Sequence, residues 1–196
     1  MEKAHEIIEN LGRFLLNARD KKDVDFLNES EKFFEAMMYI CFQYFRTRKI
    51  KNIMMEAFAT VEHFITSRVW PQMTFILSTV LAKSLSLDKN LRIYFLNNSS
   101  DVNFITGDQP IFNLLGDDLD SESFAKNLEL YYPLSPKVAM LIKVSSEPKE
   151  MIIYKNLKTS EVLIYNSKLF EIAEDFIYSN SEDNLKDYKQ GFQQKS

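Results

Sequence analysis

The chain has 196 residues, of which 45% are apolar and 27% charged, so it is long enough and apolar enough to bury a core. This composition excludes a disordered or fibrous chain. With 24 basic and 28 acidic side chains, the net charge of −4 provides no broad basic surface for nucleic acid. Cys41 is the single cysteine, which excludes an intrachain disulfide and predicts a reducing, cytoplasmic location.

Signals for membranes, cofactors and metals are missing from the sequence. No run of 18 apolar residues is present, so we expect no membrane span. No phosphate-binding or dinucleotide-binding glycine motif occurs, and His5 and His63 have no second histidine four residues away. We therefore expect no resident cofactor and no metal. Nucleic acid is disfavoured without being excluded: the basic stretch Arg46–Lys51 could meet phosphates, but a solvated helix face or helix end explains it better.

Helical spacing of apolar residues dominates the first 88 residues. It predicts helices at about 2–19 and 28–66, with Asn28 or Ser30 as the cap of the second and a break near 46–51. Pro71 fits the first turn of a third helix, whose apolar run we expect to be central to the core.

Strand-like runs follow at about 90–156, and helical spacing returns at 160–178 before a polar tail at 181–196 that we expect to fray. The fifth run is expected to close a hairpin with the fourth. We predict a single α+β domain, in which a helical N-terminal half packs on a mostly antiparallel sheet of four or five strands and a C-terminal helix follows. The predicted strands are 91–96, 102–106, 128–132, 137–144 and 151–154.

One motif is distinctive: Asn103-Phe-Ile-Thr-Gly-Asp-Gln-Pro-Ile-Phe-Asn113, followed by Leu130-Tyr-Tyr-Pro-Leu-Ser-Pro136 and an apolar strand. Together with Gln43-Tyr-Phe-Arg-Thr47 and a central Asn166 in the last helix, it resembles domain-of-unknown-function family 4238 over about residues 35–180.

The resemblance implies that the matched motif residues have shared roles in ligand binding or in structure, and it implies a bacterial or viral source. The chain has Gly107 where the family usually has serine, and it lacks the family's N-terminal His-x-Val-Pro segment, as expected of a shortened member or a truncated product. The matched positions are Gln43, Arg46, Thr47, Thr106, Asp108, Pro110, Asn113, Ser135 and Asn166.

Asp108 is the candidate catalytic residue. The turn before Pro110 would hold its carboxylate at the end of a strand, where Arg46 could pair with it. Gln43, Arg46 and Thr47 would share one helix face. The alternative interpretation is structural: Asp108 and Thr106 bond turn amides, and Arg46 docks the helix. We favour the structural interpretation.

Three functions are compatible with these residues. The first is a small binding or accessory module that recognises an unknown ligand or protein partner at the junction of helices and sheet. The second is a metal-assisted hydrolase of phosphodiesters or nucleotides that uses Asp108 and Arg46. The third is a structural subunit. If the missing segment normally covers the helical half, the apolar stripe Phe34–Phe45 should be exposed, and this half should either form a homo-oligomer or leave a hydrophobic groove.

Overall fold

The computed structural model describes residues 9–10, 12–18, 22–59, 66–116 and 128–186. The chain divides into two compact units, residues 1–91 and 92–196. Helices occupy the first unit and a mostly antiparallel sheet with a C-terminal helix the second, so the predicted α+β class is confirmed. The single-domain organisation stays a prediction.

The first unit is helical. Thr47 interrupts its helices, because its backbone is extended and its hydroxyl donates to the Tyr44 carbonyl at 2.9 Å. The break predicted near 46–51 is therefore confirmed. The predicted caps are wrong: Glu29 occupies the N-cap without a side-chain bond, while the Asn28 amide donates to the Asp25 carbonyl. The helices are α1 (Arg13–Asn17), a 3-10 helix (Lys22–Asn28), α2 (Ser30–Phe45), α3 (Arg48–Ala57) and α4 (Thr66–Leu87).

Helix α2 supplies much of this unit's core. Every residue from Met37 to Phe45 is buried, including Cys41, and only Phe34 of the stripe Phe34–Phe45 is exposed. Burial raises the pKa of the Cys41 thiol, which keeps it protonated. The stripe is therefore largely covered within the chain, contrary to the expectation that it would be exposed.

Helix α4 packs against α2. The residues that α4 buries and exposes differ from the prediction. Thr74 and Ser78 are buried, and their hydroxyls donate to carbonyls one turn earlier, at 3.0 and 2.6 Å. These bonds within the helix make burial of the hydroxyls tolerable. Ile76 and Val80 are instead exposed, so the expectation that the apolar run is central to the core is wrong. Pro71 lies in the second turn rather than the first.

The second unit is built on a five-stranded sheet in the order β3-β4-β5-β1-β6. Strands β3, β4 and β5 are linked by antiparallel pairs, whereas β1 and β6 are parallel. A separate antiparallel pair, β2 with β7, matches Thr106 to Tyr178. The strands are β1 (Leu91–Asn98), β2 (Thr106–Gly107), β3 (Phe112–Asn113), β4 (Glu129–Ser135), β5 (Val138–Val144), β6 (Ile152–Leu157) and β7 (Ile177–Tyr178).

Two strand predictions are wrong. Residues 102–105 are irregular, and only Thr106 of the second predicted strand belongs to β2. The fifth run does not form a hairpin with the fourth, because β1 lies between β5 and β6. Residues 145–151 form the link, which is long enough to pass β1 and cover the roughly 10 Å between strands two positions apart.

Helix α5 (Thr159–Ile172) packs its buried side on the hydrophobic core of this unit. The Tyr165 ring stacks on Tyr131, with centroids 4.6 Å apart and planes 6° from parallel. The predicted helix at 160–178 is too long: it ends at Ile172, and the chain turns into β7. The predicted frayed tail lies largely outside the described residues. None of the described helices combines the length and the apolar character needed to cross a membrane.

Candidate functional site

Asn166, in the middle of α5, fixes the irregular segment before β2. Its side-chain nitrogen donates to the Asn103 carbonyl at 2.9 Å, and its oxygen accepts from the Ile105 amide at 3.2 Å. Asn166 is 2% exposed. One buried side chain therefore satisfies a backbone donor and a backbone acceptor that no strand pairs.

Asp108 fixes the turn between α5 and β7. Its two carboxylate oxygens accept from the backbone amides of Glu174 and Asp175, at 3.2 and 2.7 Å. The Asp108 amide donates in return to the Phe176 carbonyl at 3.1 Å. These contacts correspond to the structural interpretation of Asp108, in which its carboxylate bonds turn amides.

Asn113 ties the start of β4 to β3. Its oxygen accepts from the Glu129 and Leu115 amides at 2.9 and 3.3 Å, and its nitrogen donates to the Gly116 carbonyl at 2.5 Å. Gly116 has a φ of +94°, which a residue with a Cβ rarely adopts. Asn113 thus bonds backbone on both sides of residues 117–127, which lie outside the described residues.

Ser135 closes the turn between β4 and β5, where its hydroxyl oxygen accepts from the Val138 and Lys137 amides at 3.1 and 3.4 Å. Asn98, which the sequence did not single out, completes this corner. Its side-chain nitrogen donates to the carbonyls of Val102 and Pro136, at 2.7 and 3.3 Å. The end of β1 is thereby bonded to the β4–β5 turn.

These segments enclose a cleft of about 230 Å³ within the second unit. Thr106 and Ser135, both singled out from the sequence, contribute to its walls. Tyr178, which pairs with Thr106, and Asn180 also line the cleft, and the sequence did not indicate them because the β2–β7 pairing brings them there. The cleft is lined by Phe104, Ile105, Thr106, Pro133, Leu134, Ser135, Pro136, Tyr178, Ser179 and Asn180.

The cleft is apolar with a few polar groups and no ionisable acid or base among its lining residues except the Tyr178 phenol. The polar side chains of the lining are the hydroxyls of Thr106, Ser135 and Ser179, the Tyr178 phenol and the Asn180 amide. The Asn180 oxygen accepts from the Asn103 amide at 3.0 Å, which orients it. A volume near 230 Å³ exceeds the roughly 150 Å³ cavity that accepts a benzene ring. The cleft can therefore take one ring-sized group.

Gly107 permits the close approach that forms the wall of β2 and β7. A Cβ at this position would lie 2.8 Å from the Phe176 carbonyl oxygen, closer than real contacts allow. The family's usual serine at this position would therefore need a wider spacing between the two segments. The replacement of the family's serine by Gly107 was visible in the sequence. The sequence alone did not show the close approach that explains it.

The candidates of the first unit are placed differently. Gln43 is buried near the end of α2, which ends at Phe45. The prediction that Gln43, Arg46 and Thr47 share one helix face is therefore wrong. The physical reason is the extended Thr47 backbone. The Arg46 guanidinium pairs with Glu9 at 3.2 Å, and both side chains are exposed. Pro110 is half-buried before β3.

Within the described ranges, no group of three or more His, Cys, Asp or Glu side chains is placed to hold a metal ion. His5 and His63 lie outside those ranges.

Fold and contacts define an α+β protein with a small cleft in its second unit, which Thr106 and Ser135 of the motif help to line. A family model described as "Protein of unknown function (DUF4238)" matches residues 13–183, which is most of the chain. The chain therefore belongs to this family. No curated protein and no solved structure matches it.

Proposed function

We propose that this protein is a cytoplasmic binding or accessory module, and that its cleft receives an uncharged, ring-sized group of a small ligand or partner protein. The observation that carries the proposal is the position of the motif residues. Thr106 and Ser135 line the cleft, while Asp108 and Asn166 hold the backbone segments that form its walls.

The chemical character of the lining residues supports an uncharged ligand. Binding pockets are typically apolar with a few placed polar groups, and this cleft has that composition. A charged ligand would lose hydration without gaining an oppositely charged partner among the lining residues. A neutral ring with one hydrogen-bonding substituent fits the hydroxyl groups and the Asn180 amide.

The contacts of Asp108 and Arg46 give less support to the hydrolase alternative. Both Asp108 oxygens already accept amide hydrogens, and Arg46 pairs with Glu9. A general base or metal ligand would have to give up one of those bonds. The cytoplasmic location is supported by the buried single thiol, which is typical of reduced proteins.

A fragment screen by amide chemical shifts tests the proposal, using neutral ring compounds such as phenol and small amides alongside charged analogues. We expect neutral rings to shift the Thr106 and Ser179 amides. Tyr178→Ala should weaken this binding about tenfold, the ratio for a loss of about 1.4 kcal/mol.

Phe176→Ala is the matched control. Phe176 is 59% exposed against 54% for Tyr178, and their rings stack with centroids 6.3 Å apart, yet Phe176 does not line the cleft. Its variant should bind like the unchanged protein. Equal losses from both variants, or preferential binding of the charged analogues, would show that the cleft is not the site.

A further inference from the structure

The exposed side of α4 carries a heptad pattern. Apolar residues recur there at alternating spacings of four and three, with one lysine in the series. Ile76, Val80 and Leu87 are 58%, 63% and 72% exposed, and Val69 and Met73 are half-buried. We name these positions the α4 seam: Val69, Met73, Ile76, Val80, Lys83 and Leu87.

Alternating spacings of three and four align side chains along a slightly underwound helix, so that they interlock with those of a second helix. The opposite side of α4 is already packed and contains Thr74 and Ser78. A helix that buries hydroxyls on one side and exposes a regular apolar seam on the other has two packing faces. The seam is the face on which Ile76, Val80 and Leu87 stay exposed.

We propose that a second copy of this chain covers the seam, with its α4 antiparallel to the first. The support is self-complementarity. When two copies run in opposite directions around Ser78, the seam positions face one another in three combinations: Val69 with Leu87, Met73 with Lys83, and Ile76 with Val80. Every seam position then meets another seam position, so a single register uses the whole series.

Lys83 selects the antiparallel direction. In a parallel pair, the two Lys83 ammonium groups would face each other within one layer and repel. In the antiparallel pair, each Lys83 lies against Met73 of the other copy, and the two lysines are separated by about 15 Å along the axis. The aliphatic stem of lysine can cover the methionine while its charge reaches solvent.

The seam is about 27 Å long, from Val69 to Leu87, at 1.5 Å per residue. This length corresponds to five helical turns, and each copy contributes one lysine to the contact. Such a contact predicts a reversible dimer rather than an obligate one. The proposal is independent of the cleft and does not depend on the proposed function.

Sedimentation velocity between about 1 and 200 µM tests association, because this range spans the affinities of reversible dimers. We expect a monomer–dimer equilibrium for the unchanged chain and a monomer for Val80→Glu, which places two carboxylates in the central layers. Ile164→Glu in α5 is the matched control: Ile164 is also apolar and is 56% exposed, and this variant should still dimerise. A chain that is monomeric throughout the range, or a Val80→Glu variant that dimerises normally, would overturn the proposal.

Cysteine crosslinking tests the direction, and buried Cys41 should not compete. When a tagged Ile76→Cys chain is mixed with an untagged Val80→Cys chain, we expect the mixed disulfide to form. If disulfides formed between two copies of the same variant in preference to the mixed disulfide, the two helices would be parallel, and the proposed register would be overturned.

Lys83→Leu offers a gain of function. Replacing the charged residue of the seam should tighten the antiparallel dimer at least about tenfold, since an apolar side chain then meets Met73. Unchanged or weaker association would contradict the assigned layer.

Discussion

Residues 9–91 and residues 92–186 satisfy their polar groups in different ways. The first part is mainly helical, so its backbone bonds itself, and polar side chains such as Thr47 and Thr74 bond within one turn. The second contains irregular segments beside short strands, and Asn166 and Asp108 bond backbone more than 60 residues away. Asn166 and Asp108 thus bond distant backbone at places where regular pairing ends. Five substitutions test this contrast.

The largest effect is expected from Asn166→Ala. It leaves the Asn103 carbonyl and the Ile105 amide without their partner, and two unpaired buried groups should lower the free energy of unfolding by about 2–4 kcal/mol. Urea denaturation of the purified protein measures the loss. Asn166→Asp keeps the acceptor for Ile105 but places a buried carboxylate oxygen against the Asn103 carbonyl, so it should not restore the stability. If both variants were as stable as the unchanged chain, the bracing role of Asn166 would have to be abandoned.

Gly107→Ala should follow, with a loss of about 1–3 kcal/mol, because the new methyl group displaces the Phe176 carbonyl. Thermal melting measures it. Gly116→Ala separates steric from conformational cost: its Cβ has open space around it, but the φ of +94° is unfavourable for alanine. A fully stable Gly107→Ala variant would mean that β2 and β7 separate without cost.

Asp108→Asn should cost about 0.5–1.5 kcal/mol, since it weakens two charge-assisted bonds to partly exposed amides. Melting temperature and fragment binding should fall together if the carboxylate is structural. Asp101→Asn, at an exposed aspartate outside this turn, is the control. An unchanged melting temperature with abolished binding would instead assign Asp108 a direct role at the cleft.

Tyr131→Phe should be neutral or slightly stabilising. The Tyr131 hydroxyl is buried without a hydrogen-bond partner, and burial raises the pKa of this phenol well above its usual value. In the unfolded chain the phenol ionises at a lower pH, so stability is complete below that pKa and declines as pH rises above it. The variant should lose less stability above about pH 10 than the unchanged chain. Urea titrations at neutral and alkaline pH compare the two proteins, and parallel profiles would contradict this origin.

Arg46→Ala should also have a small effect. Its ion pair with Glu9 is exposed, and such pairs contribute at most about 0.5 kcal/mol. Urea denaturation should show little change, with little dependence on salt. A loss comparable to that of Asn166→Ala would mean that the first unit also depends on long-range polar contacts.

Sequence periodicity predicted the α+β class, the break at Thr47 and the runs that became β4 and β5, because those features depend on local spacing. It could not predict that β1 separates β5 from β6, since strand order is set by non-local pairing. The burial of Thr74 and Ser78 on α4 was missed because it depends on bonds inside the helix. Tyr178 and Asn180 gave no signal, because a two-residue pairing alone brings them to the cleft.

The position of β1 in the sheet has a consequence for synthesis. Both neighbours of β1 follow it in the chain: β5 begins at Val138 and β6 at Ile152, whereas β1 ends at Asn98. At ribosomal speeds of 5–20 residues per second, the roughly 40 residues before β5 take about 2–8 seconds to emerge. During that interval the apolar strand has both edges unpaired, so nascent chains that stall before Val138 should be the species that chaperones bind and that aggregate.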